Sequence, residues 1–436
     1  MGAAFAQGEG GVAGGTITSV IRDRHQAKAA YRLLGCAQVT HQAVINGHGA
    51  EVLKAMQEPG DYLLIEDTTA IAYPGLKQAQ GLGPIGERYT RGLWAHQTLV
   101  LEVDWEEDRQ TLLGLLDQHV WARPSVCDEN QPSQNGRGKE SNHARQSRPD
   151  RESQRWGKAL EQAGGPAKGT TWTYVADRES DIYELLQKAS LNDWSYVIRA
   201  SYPRALLAGN EVDNLLLAAQ TAPLIGQVRV PLARSKDGML VELRSTTLTL
   251  RGPSRPGGRL PDLTRNVVHA RQLDAASGQE PACWTLLTDL PVQTLKQCER
   301  VLSSYSCRWT VEEFHKAMKT GLKVQSSQLS DARRLSALIG ILSVVAVFLL
   351  QHKLAARSDP DAPLAQDQID PSMLAVLRQV DAPQGPATRR WFWIAIAKLG
   401  GYQNRPSDGS PGWLTLWRGW QTLMILVRGY DLARAP

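Results

Sequence analysis

The sequence predicts an α/β fold with an antiparallel β insertion, flanked by helical regions at both ends. Three observations carry that expectation. Two short runs, residues 62–67 (YLLIED) and 171–177 (TWTYVAD), read as buried strands that each end in an acid. The second is followed by SDIYELLQKA, a capped-helix pattern from Ser180, and ligands of α/β proteins sit just beyond such strand ends. Residues 305–319 (YSCRWTVEEFHKAMK), drawn as a helix, place Tyr305, Arg308, Trp309, Glu312, Lys316 and Lys319 on one face and Cys307, Val311, Phe314 and Met318 on the other. One face is suited to a core, the other to chemistry.

Composition narrows the class. A chain of 436 residues has room for a large core and two or three structural units. With 42% hydrophobic and 21% charged residues it is an ordinary globular protein, which excludes wholesale disorder. A net charge of +5 tilts mildly towards a polyanionic partner. The five cysteines are scattered and form no CxxC pair, which argues against a disulfide framework or structural zinc and for a reducing, cytoplasmic compartment. The first fifteen residues lack a basic region and an apolar core, so no secretory signal is expected. Residues 335–350 carry no charge but fall short of a bilayer span of about 20 residues, so a buried helix is expected and no membrane segment.

In chain order, residues 1–58 hold a Gly- and Ala-rich leader and then a short helical region, with helical spacing in AKAAYRLL and AEVLKAM. Residues 59–195 form the first part of the core. Within it, residues 93–104 predict a second strand, LLGLLDQHVW either completes the sheet or begins a helix, and the polar stretch 128–156 predicts a loop. Residues 196–288 read as the β insertion, beginning with SYVIRA. Residues 289–356 return to the core with the organising helix and an apolar helix over 334–353. Residues 357–436 contain a Pro-, Asp- and Gln-rich linker (358–387) and a helical tail with Trp413, Trp417 and Trp420 at i, i+4 and i+7, a spacing that predicts a helix–helix contact within the chain or across a dimer. His96 and His315 have no partner at metal-ligand spacing and read as packing or phosphate contacts.

Three acids brought together would repel one another and raise their pKa values unless cations neutralised them, so a cluster of Asp67, Asp177 and Glu312 implies bound divalent metal. Oxygen ligands beside phosphate chemistry favour Mg²⁺, two ions in the usual scheme, with Mn²⁺ as a substitute. Taken singly, Asp67 and Asp177 read rather as capping or turn acids and Glu312 as a solvated helix position; the joint pattern is what favours a cluster.

The segments together resemble the bacterial cut-and-paste DDE transposases of the insertion sequence four family. Tyr305, Arg308, Glu312 and Lys319 satisfy that family's Tyr, Arg, Glu, Lys spacing, LLIEDTTAIAY is similar to its first catalytic segment, and VADRESDIYELLQ to its second. RGLWAHQTLVLEVDW, WTLLTDLPV and WLTLWRGW extend the similarity over most of the chain from about residue 15. The resemblance implies a ribonuclease H-like catalytic core, Asp67, Asp177 and Glu312 as catalytic metal ligands, and a C-terminal dimerisation region. It implies DNA-end cleavage, hairpin formation and strand transfer by a homodimer on double-stranded DNA with terminal inverted repeats and on target DNA, in the bacterial cytoplasm at the nucleoid. Tyr305, Arg308, Lys316 and Lys319 would grip phosphates, and Trp284 and Trp309, with Arg199 nearby, would receive a flipped base. On its residues alone Trp284 reads as core. The chain begins late relative to the family, whose members carry basic helices where the leader stands, so weakened end recognition is expected. The alternative role is a non-transposing copy that inhibits a full-length transposase by mixed dimerisation.

Overall fold

The computed structural model describes residues 17, 21, 23–86, 90–124, 151–207, 214–232, 235–364 and 369–434. Most of the expected loop 128–156 lies outside them. Its last residues, however, are ordered: Glu152 pairs with Arg123, and Trp156 is buried with its ring edge-on to His96 at 4.7 Å. Within the part of that stretch that is described, the Trp156 indole thus has a core contact.

Two helices, α1 (Arg24–Gly35) and α2 (His41–Ala55), open the described chain, capped by Asp23 and Thr40 respectively. The strands follow: β1 (Gly60–Ala72), the short β2 (Gly83–Pro84), β3 (Arg91–Asp104) and β4 (Arg109–Trp121), so LLGLLDQHVW completes the sheet. After α3 (Lys158–Ala163) come β5 (Thr170–Ala176), α4 (Tyr183–Leu191) and β6 (Ser195–Arg199). The remaining strands, after α5 (Leu215–Gln220), are β7 (Leu224–Leu232), β8 (Ser235–Leu250), the two-residue β9 and β10, β11 (Leu263–Gln272) and β12 (Cys283–Thr288). All but β9 and β10 join one mixed sheet in the order β2-β3-β1-β5-β6-β12-β11-β8-β7, with β4 also on β3. β1, β5 and β6 run parallel to their neighbours in that trio, and the other pairings are antiparallel. The stretch SYVIRA therefore belongs to the core, since β6 pairs in parallel with β5, and the antiparallel insertion continues that sheet through β12.

Two other details differ from expectation. β1 does not stop at its acid: it runs on to Ala72 along β3, while its parallel pairing with β5 ends at Glu66 opposite Ala176. Asp67 and Asp177 thus lie at the carboxyl edge of the same parallel ladder. Ser180 does not cap a helix. Asp177 itself caps a short 3₁₀ turn (Arg178–Ser180), accepting from the Arg178 N–H, and α4 starts only at Tyr183.

The organising segment is not one helix. α6 (Leu295–Ser306) ends in a tight turn at Cys307 and Arg308, α7 (Trp309–Lys316) follows, and Ala317–Gly321 widens into a π-helical turn. The junction is bonded three residues back, Arg308 N to Tyr305 O and Thr310 N to Cys307 O, which tightens the chain there. The expected division of faces survives, with Cys307, Val311, Phe314 and Met318 all buried. Beyond it, α8 (Ala332–Ser358) is long and apolar enough to cross a membrane, yet most of that apolar stretch is buried in the protein, where α8 packs on β4 and α2.

The segment read as a linker contains a helix, α9 (Pro371–Val380). Proline at its first turn and the Asp370 cap start it, and Leu374, Val376 and Leu377 bury one side. Last come α10 (Arg389–Leu399) and α11 (Trp413–Arg434), whose backbones meet at Gly400 and Gly419. A Cβ on Gly419 would lie 1.7 Å from the Ile396 carbonyl oxygen, so only glycine permits this crossing. Trp413, Trp417 and Trp420 are buried within the chain, and the stripe serves an intramolecular contact.

Glu313 ties these layers together. Its Oε2 accepts from Lys353 of α8 at 2.5 Å and from the Trp413 indole of α11 at 2.9 Å, and its Oε1 accepts from Lys316 at 3.1 Å. Burial pushes its carboxyl up, but these donors outweigh it and hold the group at about 2. Because the folded value lies below the ordinary carboxylate value of about 4.3, the stabilisation is complete above that pH and is lost as pH falls through about 2. Glu313→Gln should therefore lower thermal stability at neutral pH by ~1–3 kcal/mol. In an acid titration of melting temperature, the gap between variant and parent should close between pH 5 and pH 2.

Candidate functional site

Three elements deliver three carboxylates to one cleft. Asp67 comes from β1, Asp177 from the end of β5 and Glu312 from the first turn of α7. The cleft has a volume of about 590 Å³, and Lys316, Lys319, Arg178 and Glu179 also line it. The two aspartates are held alike. Each has one oxygen fixed by the N–H of the next residue, Thr68 N to Asp67 Oδ1 at 2.7 Å and Arg178 N to Asp177 Oδ1 at 2.8 Å. Each turns its other oxygen to Arg308, at 3.5 Å for Asp67 and 3.9 Å for Asp177. Glu312, one helical turn after Arg308, meets the same guanidinium at 3.4 Å.

Arg308 is thus the common neighbour of all three acids. Burial pulls its pKa down, but Tyr305, Asp177, Asp67 and Glu312 together more than reverse this, so it stays cationic. Asp67 responds in the opposite sense. Burial raises its carboxyl to about 6, against the pull of Thr68 N–H and Arg308, with Glu312 and Glu179 adding to the rise. The Tyr305 hydroxyl donates to Asp177 Oδ1 at 3.0 Å. Arg199 stands 3.9 Å from the same oxygen and donates to the carbonyl of Cys283, next to Trp284. Lys319 donates to Thr69 Oγ1 at 2.6 Å, and burial lowers its pKa although Glu312 and Asp67 oppose the shift.

Asp67, Asp177, Glu312, Tyr305, Arg308 and Lys319, all singled out from sequence, therefore line or border one cleft, with Arg199 beside them. Lys316 lines the cleft while also pairing with Glu313. Trp309 is 62% exposed, with Arg308 5.6 Å from its ring. Trp284 is half-buried against the main core, as its strand position suggested.

Two supports are not apparent from sequence. Gln97 of β3 donates to the Asp67 carbonyl at 2.8 Å, and its Nε2 lies 2.5 Å from His315 Nε2. Burial drives the His315 pKa down to about 3, so the imidazole is neutral and accepts this bond. The pair welds β1 to α7 directly behind the acids. On the other face of β1, buried Glu66 accepts from Thr98, Gly157 N and Tyr174 and faces His96, whose Nδ1 bonds Thr68. Both histidines are thus engaged in packing. Strand alternation places Thr69 beside Asp67 on one face, but neither Gln97 nor Glu66 carries a local signal that distinguishes it from other polar strand residues.

Oxygen-only donors in a half-buried cleft fit a hard divalent cation such as Mg²⁺. Among the described residues, no three His, Cys, Asp or Glu side chains close on a common point as they stand, and the Arg308 guanidinium contacts each of these three. Fold and site define a mixed α/β protein with an acidic, cation-centred cleft at the edge of its parallel strands. No family model matches the chain.

The raised Asp67 value yields a stability prediction. A buried carboxyl whose folded pKa lies above its unfolded value costs stability as pH rises from about 4 and costs it fully above about 6. In a metal-free melt at pH 8, Asp67→Asn should gain ~1–3 kcal/mol, and below pH 4 the gain should vanish.

Proposed function

We propose that this chain is a metal-dependent DNA phosphoryltransferase of the DDE transposase type, which cuts transposon ends, forms hairpins and carries out strand transfer. The observation that carries the reading is the meeting of Asp67, Asp177 and Glu312, each from a different element, around one cation in a cleft rimmed by Lys316 and Lys319. The order β4-β3-β1-β5-β6, antiparallel on one side of β1 and parallel on the other, supports a ribonuclease H-like core. The similarity of segments to the insertion sequence four family supplies the substrate: DNA with terminal inverted repeats.

In this reading Asp67, Asp177 and Glu312 hold Mg²⁺. Bound there, the metal would supply Lewis-acid activation of a water or 3′-hydroxyl and charge stabilisation of a departing oxygen at phosphorus. The chain's own residues do the positioning. Thr68 N–H and Arg178 N–H fix one oxygen of each aspartate and leave the other directed into the cleft. Tyr305 orients Asp177, and Thr69 orients the Lys319 ammonium. Lys316, Lys319 and Arg308 bring the positive charge that a scissile phosphate requires. The exposed Trp309 indole offers a face on which an extruded base can stack, offsetting part of an unstacking cost of a few kcal/mol. Trp284 and Arg199 stand on adjacent strands within this region. Homodimerisation on DNA belongs to the same proposal.

The test is cleavage of a duplex carrying the terminal repeats that flank the gene, in the presence of Mg²⁺. Asp177→Ala and Glu312→Ala should each reduce cutting by at least about a hundredfold, as expected when a metal ligand is lost. If either variant cuts as well as the parent, the assignment fails.

A further inference from the structure

We infer that Arg308 is an internal counter-cation which a divalent ion must displace, so that this one side chain sets the metal affinity of the cleft; the inference rests on the reading that Asp67, Asp177 and Glu312 are metal ligands. The geometry points to competition for one place. Nη1 serves both Asp67 and Glu312, and Nη2 serves Asp177, at 3.4–3.9 Å. These are longer than the 2.7–2.9 Å of a well-made charge-assisted hydrogen bond. A guanidinium selected to bind one carboxylate would take it bidentately; this one is shared loosely among three. The Nε atom is buried without a hydrogen-bond partner, so among the described residues the hydrogen bonds of the head group all go to these carboxylates.

Magnesium binds oxygen at about 2.0–2.1 Å. The carboxylate oxygens that would ligate an ion are the ones that now contact Nη1 and Nη2, so ion and guanidinium compete for them. The side chain has a way out, because Trp309, whose ring already lies 5.6 Å from its Cζ, opens to solvent. Once released, the guanidinium is free to pair with a phosphate. By linkage, a phosphate that takes Arg308 from the acids must tighten metal binding, and metal must tighten phosphate binding. Metal loading is then coupled to the presence of DNA.

The direct measurement is Mn²⁺ titration of the full chain without DNA, reading free Mn²⁺ by electron paramagnetic resonance. Arg308→Gln should bind Mn²⁺ about tenfold more tightly than the parent, within the range of ordinary coupling energies. Its melting temperature should fall in the absence of metal, since three acids lose their shared cation, and should rise more on adding Mn²⁺ than the parent's does. Arg308→Lys keeps the charge but cannot span three acids and should fall between the two; it also carries the test if the glutamine variant does not fold. Asp177→Asn added to Arg308→Gln should abolish the gain. Unchanged or weaker Mn²⁺ binding in both Arg308 variants, with normal binding in the parent, overturns the inference and leaves the cleavage reading standing. If no variant binds Mn²⁺ and Asp177→Asn changes nothing, the metal reading fails and the inference with it.

Discussion

The repulsion among three carboxylates in a half-buried cleft is the constraint on which the rest of the structure turns. Two like charges about 4 Å apart repel by roughly 4 kcal/mol at an effective dielectric near 20, a sizeable share of the whole stability of a typical domain. The fold meets this cost with one guanidinium, which touches all three acids, and with a carboxyl at Asp67 that binds a proton more readily than usual. Each device is local and reversible. Such a site is less stable than it would be without its charges, as expected where chemistry and stability compete.

Holding the acids in place requires a frame that does not yield, and it is built on both faces of β1. Behind the cleft, Gln97 and neutral His315 join the strand to α7. On the opposite face, Glu66 is buried but surrounded by donors, one of them the Gly157 N–H, which ties the segment before α3 to β1. Glu313 extends the frame outwards to α8 and α11 through Lys353 and Trp413. Adjacent glutamates on one helix therefore have opposite duties: Glu312 faces the cleft and Glu313 braces the helix that carries it.

Much of this was legible in the sequence, for particular reasons. Apolar runs followed by Asp located the two strands, and helical periodicity separated Val311, Phe314 and Met318 from the polar face. Errors arose where a local pattern was broken or concealed by tertiary contacts. The expected single helix over 305–319 is interrupted at Arg308, since periodicity does not register a one-turn tightening. The helix Pro371–Val380 was hidden by its flanking Pro, Asp and Gln residues, although Leu374 and Leu377 have a core to enter. Trp156 marks the end of the polar stretch only once its packing against His96 is known.

The sequence by itself determined the acids, the bases around them and the alternation of elements, because residue type and short-range period are local properties. Which groups meet was decided by the tertiary structure alone. Strand pairing across more than a hundred residues brings β5 beside β1, and a further long connection returns α7 to the same edge. Only that closure places Arg308 among Asp67, Asp177 and Glu312, with Lys319 on Thr69 and Tyr305 on Asp177. The electrostatic state of the cleft follows from those distances and from burial, and neither quantity exists until the chain has folded.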